Sequence, residues 1–277
     1  MPGRIWLIGG TQESGYLAAD LAAHRIPFVV SVTTASAHAL YQSVAFAQTD
    51  SRLWVGRLND RTIADFLQQH QITAILDASH PFAVEISQLA IATAHRKALP
   101  YLRYERPALP AASSASPMAR LSPVPMAPIL QVDSLATLLQ GDTWRSQRVL
   151  LTLGYRSLPA FQPWQSQATL FARILPSPIA LETALAAGFT PDRLIALRPP
   201  ISLELERALW QHWQISLVVT KASGTAGGEA VKRQLAQALG IRLITIARPA
   251  IVYPQQTADL ETAIAFCQQV TEPVHSD

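Results

Sequence analysis

Cysteine is almost missing from this chain: Cys267 stands alone in 277 residues. One cysteine cannot close an internal disulfide or build a thiolate metal site, and the apolar helical pattern around it marks a core thiol. No apolar run reaches the roughly 18 residues that a membrane-spanning helix needs. The N-terminus, MPGRIWLIGG, enters a strand-like run without a secretory-signal layout. Charge of either sign is sparse and nearly cancels, 22 basic against 19 acidic residues leaving +3. Without a basic run interleaved with aromatics, nucleic acid is not an expected partner. The seven histidines lack ligand spacing, so no metal is expected. A G-x-S-x-G elbow and paired carboxylates are absent too. The expectation is a soluble, cytoplasmic protein without a membrane partner, a monomer or small homo-oligomer, with 49% apolar residues to fill a core.

The length exceeds the usual domain of roughly 100–150 residues, which favours two domains. Strand-like runs at Ile5–Ile8, Phe28–Val32, Leu53–Val55, Ala74–Asp77 and Tyr101–Arg103 alternate with helical patterns at 12–24, from Asn59 or Asp60, and at 83–98. Residues 107–128, rich in proline, alanine and serine, exclude a regular helix or central strand. They read as an extended crossover; the other reading is a surface excursion inside one domain. The rhythm then resumes, with strands at Arg148–Thr152, Leu170–Ile174, Leu194–Leu197, Leu217–Thr220 and Leu243–Ile246 and helices at 179–187, 202–213 and 226–239. The expected division is a first domain 1–107, a crossover 108–128 and a second domain 129–277. The last helix, 257–270, is free to pack on either half, and the tail from Glu272 reads as loose. The fold class is α/β, with parallel sheets covered on both faces.

Ligands of open parallel sheets bind beyond the carboxyl ends of strands, so the strand-end residues carry the functional reading. The first strand ends in Gly9-Gly10-Thr11-Gln12-Glu13, where backbone amides can approach a phosphate at a helix N-terminus; a plain strand-to-helix turn explains it equally simply. The spacing is not G-x-G-x-x-G. The second strand ends in Ser31-Val32-Thr33-Thr34-Ala35-Ser36, which holds no acid for a ribose diol. Hydroxyls at Thr33, Thr34 and Ser36 suit a 2′-phosphate, with Arg52 or Arg57 for charge, unless they only fit a β-rich loop. The fourth strand ends in Asp77-Ala78-Ser79-His80-Pro81-Phe82-Ala83. Ser79 and Pro81 suit a helix start, whereas Asp77 and His80 need another reason. His80 can meet a ligand carboxylate, move a proton, or serve structure alone.

In the second half, Thr220-Lys221-Ala222-Ser223-Gly224 runs into Gly227-Gly228, an anion-site pattern in which Ser223 and Gly224 offer amides and Lys221 a charge; a flexible linker is the alternative. It is not a P-loop, because the lysine precedes the glycines. Arg103, Arg106, Arg156, Arg198 and Arg248 each follow or end a strand. Gathered on one rim they would select a ligand with several carboxylates; singly, each is a surface charge.

Taken together, Gly9-Gly10-Thr11-x-Glu13, Asp77-Ala-Ser-His80-Pro-Phe-Ala83, Arg103-x-Glu105-Arg106-Pro107, Thr220-Lys221-x-Ser223-Gly224 with Gly227, Gly228 and Lys232, and Ile246-Ala-Arg248-Pro249 resemble the precorrin-6A and cobalt-precorrin-6A reductase family over roughly residues 4–250. The chain departs from that pattern at Ala222, at Arg198-Pro199-Pro200-Ile201 and at Ala108-Leu109. The resemblance implies two Rossmann-like domains with NADPH in a cleft between them. It also implies reduction of one double bond of a tetrapyrrole, precorrin-6A or its cobalt form. Gly9, Gly10, Thr11, Glu13, Thr33, Thr34, Ser36 and Asp77 are then expected at the cofactor. His80, Arg103, Arg106, Arg198, Lys221, Ser223, Gly224 and Arg248 are expected at the substrate, with His80, Tyr155 and Lys221 as candidates for proton delivery. Two other classes compete. One is another Rossmann-type NADP-dependent reductase, although a Tyr-x-x-x-Lys pair is missing at both Tyr16 and Tyr155. The other is a non-catalytic dinucleotide sensor, which would not need the arginines of the second half.

Overall fold

The structure is a computed structural model and describes residues 3–110, 129–141 and 143–271. Most of the expected crossover and the tail from Glu272 lie outside the described residues. The chain divides into two compact units, Met1–Pro107 with Ala250–Asp277, and Ala108–Pro249.

The first unit contains β1 (Arg4–Ile8), α1 (Gln12–Ala23), β2 (Phe28–Val32), β3 (Arg52–Val55), α2 (Ile63–His70), β4 (Ile72–Asp77), α3 (Val84–Lys97) and β5 (Tyr101–Tyr104). The second contains β6 (Ile129–Val132), α4 (Leu135–Leu139), β7 (Arg148–Leu151), β8 (Thr169–Ile174), α5 (Pro178–Ala186), β9 (Leu194–Ala196), α6 (Leu203–His212), β10 (Leu217–Lys221), α7 (Glu229–Leu239) and β11 (Arg242–Ile246). The chain then adds β12 (Gln256–Thr257) and α8 (Leu260–Thr271) to the first unit. The sheet of the first unit runs β12-β5-β4-β1-β2-β3 and that of the second β6-β11-β10-β7-β8-β9. Every described strand pair is parallel.

Parallel strands covered on both faces need apolar residues at consecutive positions. β1 and β2 are buried at every residue. The pleat then sorts them by side. Ile5, Leu7, Phe28, Val30, Ala74 and Leu76 pack in one cluster with Leu17 and Leu21 of α1 and Ala263, Ile264 and Cys267 of α8. Trp6, Ile8, Val29 and Ile75 pack in the other with Phe66 and Leu67 of α2 and Ala90 and Ala94 of α3. In the second unit, Trp210 and Trp213 at the end of α6 and Leu235 and Ala236 of α7 cover Leu150, Phe171, Val218 and Leu243. No helix among the described residues is long and apolar enough to cross a membrane.

The alternating βα order is as the sequence indicates, and the differences are local. The expected second domain ran to 277, but residues from Ala250 onward belong to the first unit. The cause is a parallel pairing of Gln256 with Arg103 and Thr257 with Tyr104. Asp259 then starts α8 by accepting a hydrogen bond from the Thr262 amide, at 2.7 Å. β6, α4 and the 3-10 helix Tyr155–Trp164 have no counterpart in the sequence reading. α7 begins at Glu229 rather than 226, because Gly227 and Gly228 belong to the preceding turn.

Burial pushes the Cys267 thiol up to about 12, so it should react slowly with a disulfide reagent at neutral pH and rapidly once unfolded. Ile264→Ala should lower the stability of the first unit by about 2–4 kcal/mol in urea titration. Fast native thiol labelling, or an Ile264→Ala midpoint equal to the parent's, would mean that α8 does not seal this core.

Candidate functional site

The strand orders locate the sites before any side chain is considered. From β1 the chain steps to β2 and β3 on one side and then returns to β4 and β5 on the other. From β7 it steps to β8 and β9, then to β10 and β11 on the other side. Each reversal opens a crevice at the carboxyl ends of the two central strands. In the first unit the crevice is bounded by Gly9–Glu13 after β1 and Ala78–Ala83 after β4. In the second it is bounded by Thr152–Arg156 after β7 and Ala222–Gly228 after β10.

After β1, Gly10 has φ +100°, a left-handed conformation open to glycine, and nothing lies within 4 Å of where its side chain would be. Gly9 is small for a different reason. A Cβ there would meet the Tyr41 hydroxyl at 2.2 Å. That hydroxyl accepts a hydrogen bond from the Gly10 amide (2.9 Å) and lies 2.7 Å from Ser14 Oγ. Burial raises the Tyr41 phenol above its ordinary value, so it stays neutral. Thr11 caps α1: its Oγ1 accepts from the Ser14 amide, Ser14 Oγ accepts from the Thr11 amide, and Thr11 Oγ1 donates to the Ala78 carbonyl at 2.9 Å. The Gly9 amide donates to Ser31 in the sheet. The turn therefore does not offer its glycine amides to a ligand, contrary to the expectation. The amides of Gln12 and Glu13, at the start of the helix, are the ones without a protein acceptor among the described residues.

Glu13 and Arg106, expected at different ligands, hold each other at 2.5 Å. Glu13 Oε2 is buried without a hydrogen-bond partner among the described residues. Beside it, between Thr11, Glu13, Ser79, Arg103 and Arg106, lies a cavity of about 10 Å³, room for one water.

After β4, Asp77 is fully buried and accepts four hydrogen bonds. Oδ1 takes the Ser79 amide (3.0 Å) and Arg103 Nη1 (2.8 Å), and Oδ2 takes Ser87 Oγ (2.7 Å) and Tyr101 OH (2.9 Å). Arg103, 1% exposed, also donates to Ser79 Oγ (3.0 Å) and pairs with Glu105 at 2.5 Å, and the Tyr253 ring covers it. Neither Asp77 nor Arg103 has surface left for a ligand. Their place is to shape the loop from 78 to 83, which corrects the contacts expected of them. Ser79 and Pro81 also do not start a helix, since α3 begins at Val84. His80 is half-buried at that loop, and its Nδ1 accepts from the Phe82 amide at 3.2 Å. The proton of the neutral ring is then on Nε2.

Beyond β2, Thr33, Thr34 and Ser36 are exposed, with Thr34 Oγ1 3.0 Å from Ser36 Oγ. Strand direction places Arg52 and Arg57 at opposite edges of the sheet. Arg52 begins β3 and pairs with Asp50, on the opposite edge of the sheet. Arg57 follows β3, next to Gly56, whose amide donates to Val32 at 2.9 Å, so it shares the edge of the hydroxyl group trio. It ion-pairs with Glu85 in an exposed position.

In the second unit, Lys221 ends β10 and lies close to Arg156, which follows β7. Burial first, and then the Arg156 charge, lower the Lys221 pKa. Tyr155 stands beside them, its hydroxyl 3.4 Å from Arg156 Nε. The amides expected to bind an anion are taken: Ser223 donates to the Lys221 carbonyl (2.7 Å) and Gly224 to the Glu229 carboxylate (2.8 Å). Arg248 Nε donates to the Ala222 carbonyl at 2.9 Å, so it braces the same loop. Arg198 follows the edge strand β9, two strands away from β7. No cluster of possible metal ligands occurs among the described residues. Tyr41, Ser14 and Glu229 were not apparent as site residues, because only the fold brings them to the glycines.

A family model described as precorrin-6x reductase CbiJ/CobK matches residues 4–268. A cobalt-precorrin-6A reductase of Synechocystis sp. is 46% identical over 96% of this chain and 96% of its own. One of Priestia megaterium is 30% identical over 90% and 92% of the two chains. Among solved structures, the CobK precorrin-6A reductase superposes with a TM-score of 0.76 at 23% identity, covering 97% of both chains, a likeness of fold.

The Asp77–Arg103 pair gives a direct check on the first crevice. Asp77→Asn leaves a buried guanidinium short of its anion and should cost about 3–5 kcal/mol in urea unfolding. Asp77→Leu with Arg103→Met should cost clearly less than the two single changes together. Additive losses would show that the two side chains do not act as a pair.

Proposed function

The chain belongs to the precorrin-6x reductase family, and on that premise we propose that it reduces one double bond of cobalt-precorrin-6A with NADPH, in cobalamin biosynthesis and in the cytoplasm. The name of the Synechocystis relative, at 46% identity, supports the cobalt form. The observation that carries the substrate reading is that Lys221 ends β10 and Arg156 follows the neighbouring β7, which puts two cations suited to ring carboxylates at the strand reversal of the second unit.

The first unit fits a dinucleotide. Gly10 leaves open space at the turn, and the helix-start amides of Gln12 and Glu13 can take a phosphate oxygen. The Glu13 carboxylate would oppose that phosphate, but Arg106 offsets its charge. Thr33, Thr34 and Ser36 are exposed hydroxyls without a neighbouring acid in 31–36, and Arg57 stands on their edge. This set favours a 2′-phosphate over a bare ribose diol. Gly9, Thr11 and Asp77 act at one remove, by fixing the turn and the loop. Arg103 and Arg106 act likewise through Asp77 and Glu13, and Ser223, Gly224 and Arg248 by shaping the loop after Lys221. Arg198 is the remaining cation for a more distant carboxylate.

The nicotinamide supplies a hydride when bound, and the chain must deliver one proton to the ring carbon. Lys221 suits this better than His80. Its ammonium is made more acidic by burial and by Arg156. His80 would have to gain a proton on Nδ1, where it already accepts the Phe82 amide. His80 is instead kept as a contact for a substrate carboxylate or carbonyl at the loop after β4. Tyr155 positions Arg156 through its hydroxyl. A pure sensor would have no use for an acidified lysine at this point.

With cobalt-precorrin-6A present, NADPH absorbance near about 340 nm should decay, and an unchanged trace would remove the enzyme reading. Arg57→Ala should raise KM for NADPH about tenfold and leave KM for NADH alone. Lys221→Met should lower kcat. In the parent, kcat should fall as pH rises through the lowered lysine pKa, since only the charged form carries the proton, and Lys221→Met should lack that limb. A Lys221→Met profile that keeps the alkaline limb would assign the proton elsewhere.

A further inference from the structure

Beneath the Gly224–Gly228 turn, the second unit buries a group of charges that the proposed reaction does not use directly. Lys232, 2% exposed, points its amine up into the turn and donates to the carbonyls of Gly228 (3.1 Å) and Gly227 (3.5 Å). Glu229, 1% exposed, holds the other end by accepting the Gly224 amide, and Arg233 holds Glu229 at 2.7 Å. Gly227 is required here, since a Cβ would meet Ser223 Oγ at 2.1 Å. A buried anion thus grips the start of the turn and a buried cation its end. Thr225 and Ala226 are exposed residues, and their amides have no acceptor among the described residues.

The groups that face Lys232 come from three elements: Arg173 on β8, Glu206 on α6 and Glu229 on α7. Arg173 ion-pairs with Glu206, whose Oε1 is otherwise buried without a partner among the described residues. With Arg233, three cations stand against two carboxylates. Of these charges the Lys232 amine is the one held against the turn, and an external carboxylate on the Thr225 and Ala226 amides would balance the cluster's surplus.

We propose that Lys232 and Glu229 are positioning residues for the reaction, holding the Gly224–Gly228 turn as a fixed cradle for one carboxylate of the macrocycle. The inference rests on the reductase reading above and adds the atoms that make the second unit selective. Lys232 is charged only while it keeps its proton. Burial, then Arg173, bring its pKa down to about 8.

The sign of the pH effect separates positioning from mere structure. Below about 8 Lys232 is charged in the fold, and above it neutral. In the unfolded chain it keeps its proton to its ordinary value of 10.5. Between these values the unfolded state holds more protons, so this group's contribution to stability rises with pH. Macrocycle binding should move the opposite way and weaken, because the cradle loses its charge.

The test measures KM and kcat for cobalt-precorrin-6A, the Kd of NADP+, urea stability and amide exchange of 224–228. In the parent, macrocycle KM should rise between about pH 7 and about pH 9 while stability does not fall. Lys232→Met should raise that KM about 10- to 100-fold, speed exchange in the turn and leave NADP+ binding unchanged. Lys232→Arg, charged throughout, should recover part of the loss and show a smaller rise with pH than the parent, the remainder being that of Lys221. A KM that is flat with pH in the parent, or unchanged in Lys232→Met, would overturn the proposal. So would a loss confined to stability. If Lys232→Met fails to fold, the comparison of parent with Lys232→Arg decides: Lys221 titrates in both, so only the part of the KM rise that Lys232→Arg removes belongs to Lys232, and equal rises would overturn the proposal. A parent that does not oxidise NADPH with this substrate would instead defeat the reductase reading itself.

Discussion

A carboxylate with no access to water needs a full set of donors, and Asp77 has one: an amide, a guanidinium, a serine hydroxyl and a tyrosine hydroxyl. Those donors belong to the loop after β4, to α3 and to β5. One side chain therefore sets where the chain goes after the strand at which the sheet reverses. Arg103 extends the network to Glu105 and to the Tyr253 ring. The amide of Arg103 also donates to Gln255 of the returning segment at 2.9 Å. The residue that shapes the crevice thus also anchors the strand that returns the chain to its first unit.

The two units share the order of five strands, β5-β4-β1-β2-β3 and β11-β10-β7-β8-β9, and differ in the edge strand added to them, β12 or β6, and in how they treat charge. In the first, each buried ion at the strand ends has its counter-ion: Asp77 with Arg103, Glu13 with Arg106. That leaves amides, hydroxyls and a glycine turn as the exposed chemistry, suited to a phosphate backbone and ribose. In the second, Lys221 ends β10 and Arg156 follows the neighbouring β7, and three cations stand with two carboxylates in the cluster around Lys232. Buried cations raise the local potential far more than solvated ones. On the proposed reading the carboxylates of the ring fall to the second arrangement and the dinucleotide to the first.

Much of this was legible in the sequence. β2 could be bounded from its apolar run and the preceding Pro27, and the strand-end motifs fell at the carboxyl edges of the two sheets. The misses have common physical causes. β12 has two residues and exists because β5 offers an unpaired edge, so its own sequence carries no signal. The Pro-rich stretch hid β6 next to it. Pairings such as Glu13 with Arg106, 93 residues apart, or Tyr41 with Gly10, 31 apart, are products of the fold. The sequence could therefore name Asp77, Arg103 and Gly224 as notable and still misjudge what they touch. Residue type told which charges matter; only burial told which of them have surface left for a ligand.

The central claim is that chemistry is confined to the strand-reversal edges of the two sheets. Hydrogen exchange with NADP+ and with cobalt-precorrin-6A tests it most directly. NADP+ should slow exchange at 9–14, 33–36 and 56–58, and the macrocycle at 153–157 and 221–228. A groove of about 320 Å³ also lies between α2 and α3, lined by Asp60, Ile63, Leu67, Thr93, Arg96 and Lys97. Protection centred on 63–67 and 93–97, with the glycine turns unaffected, would contradict the account.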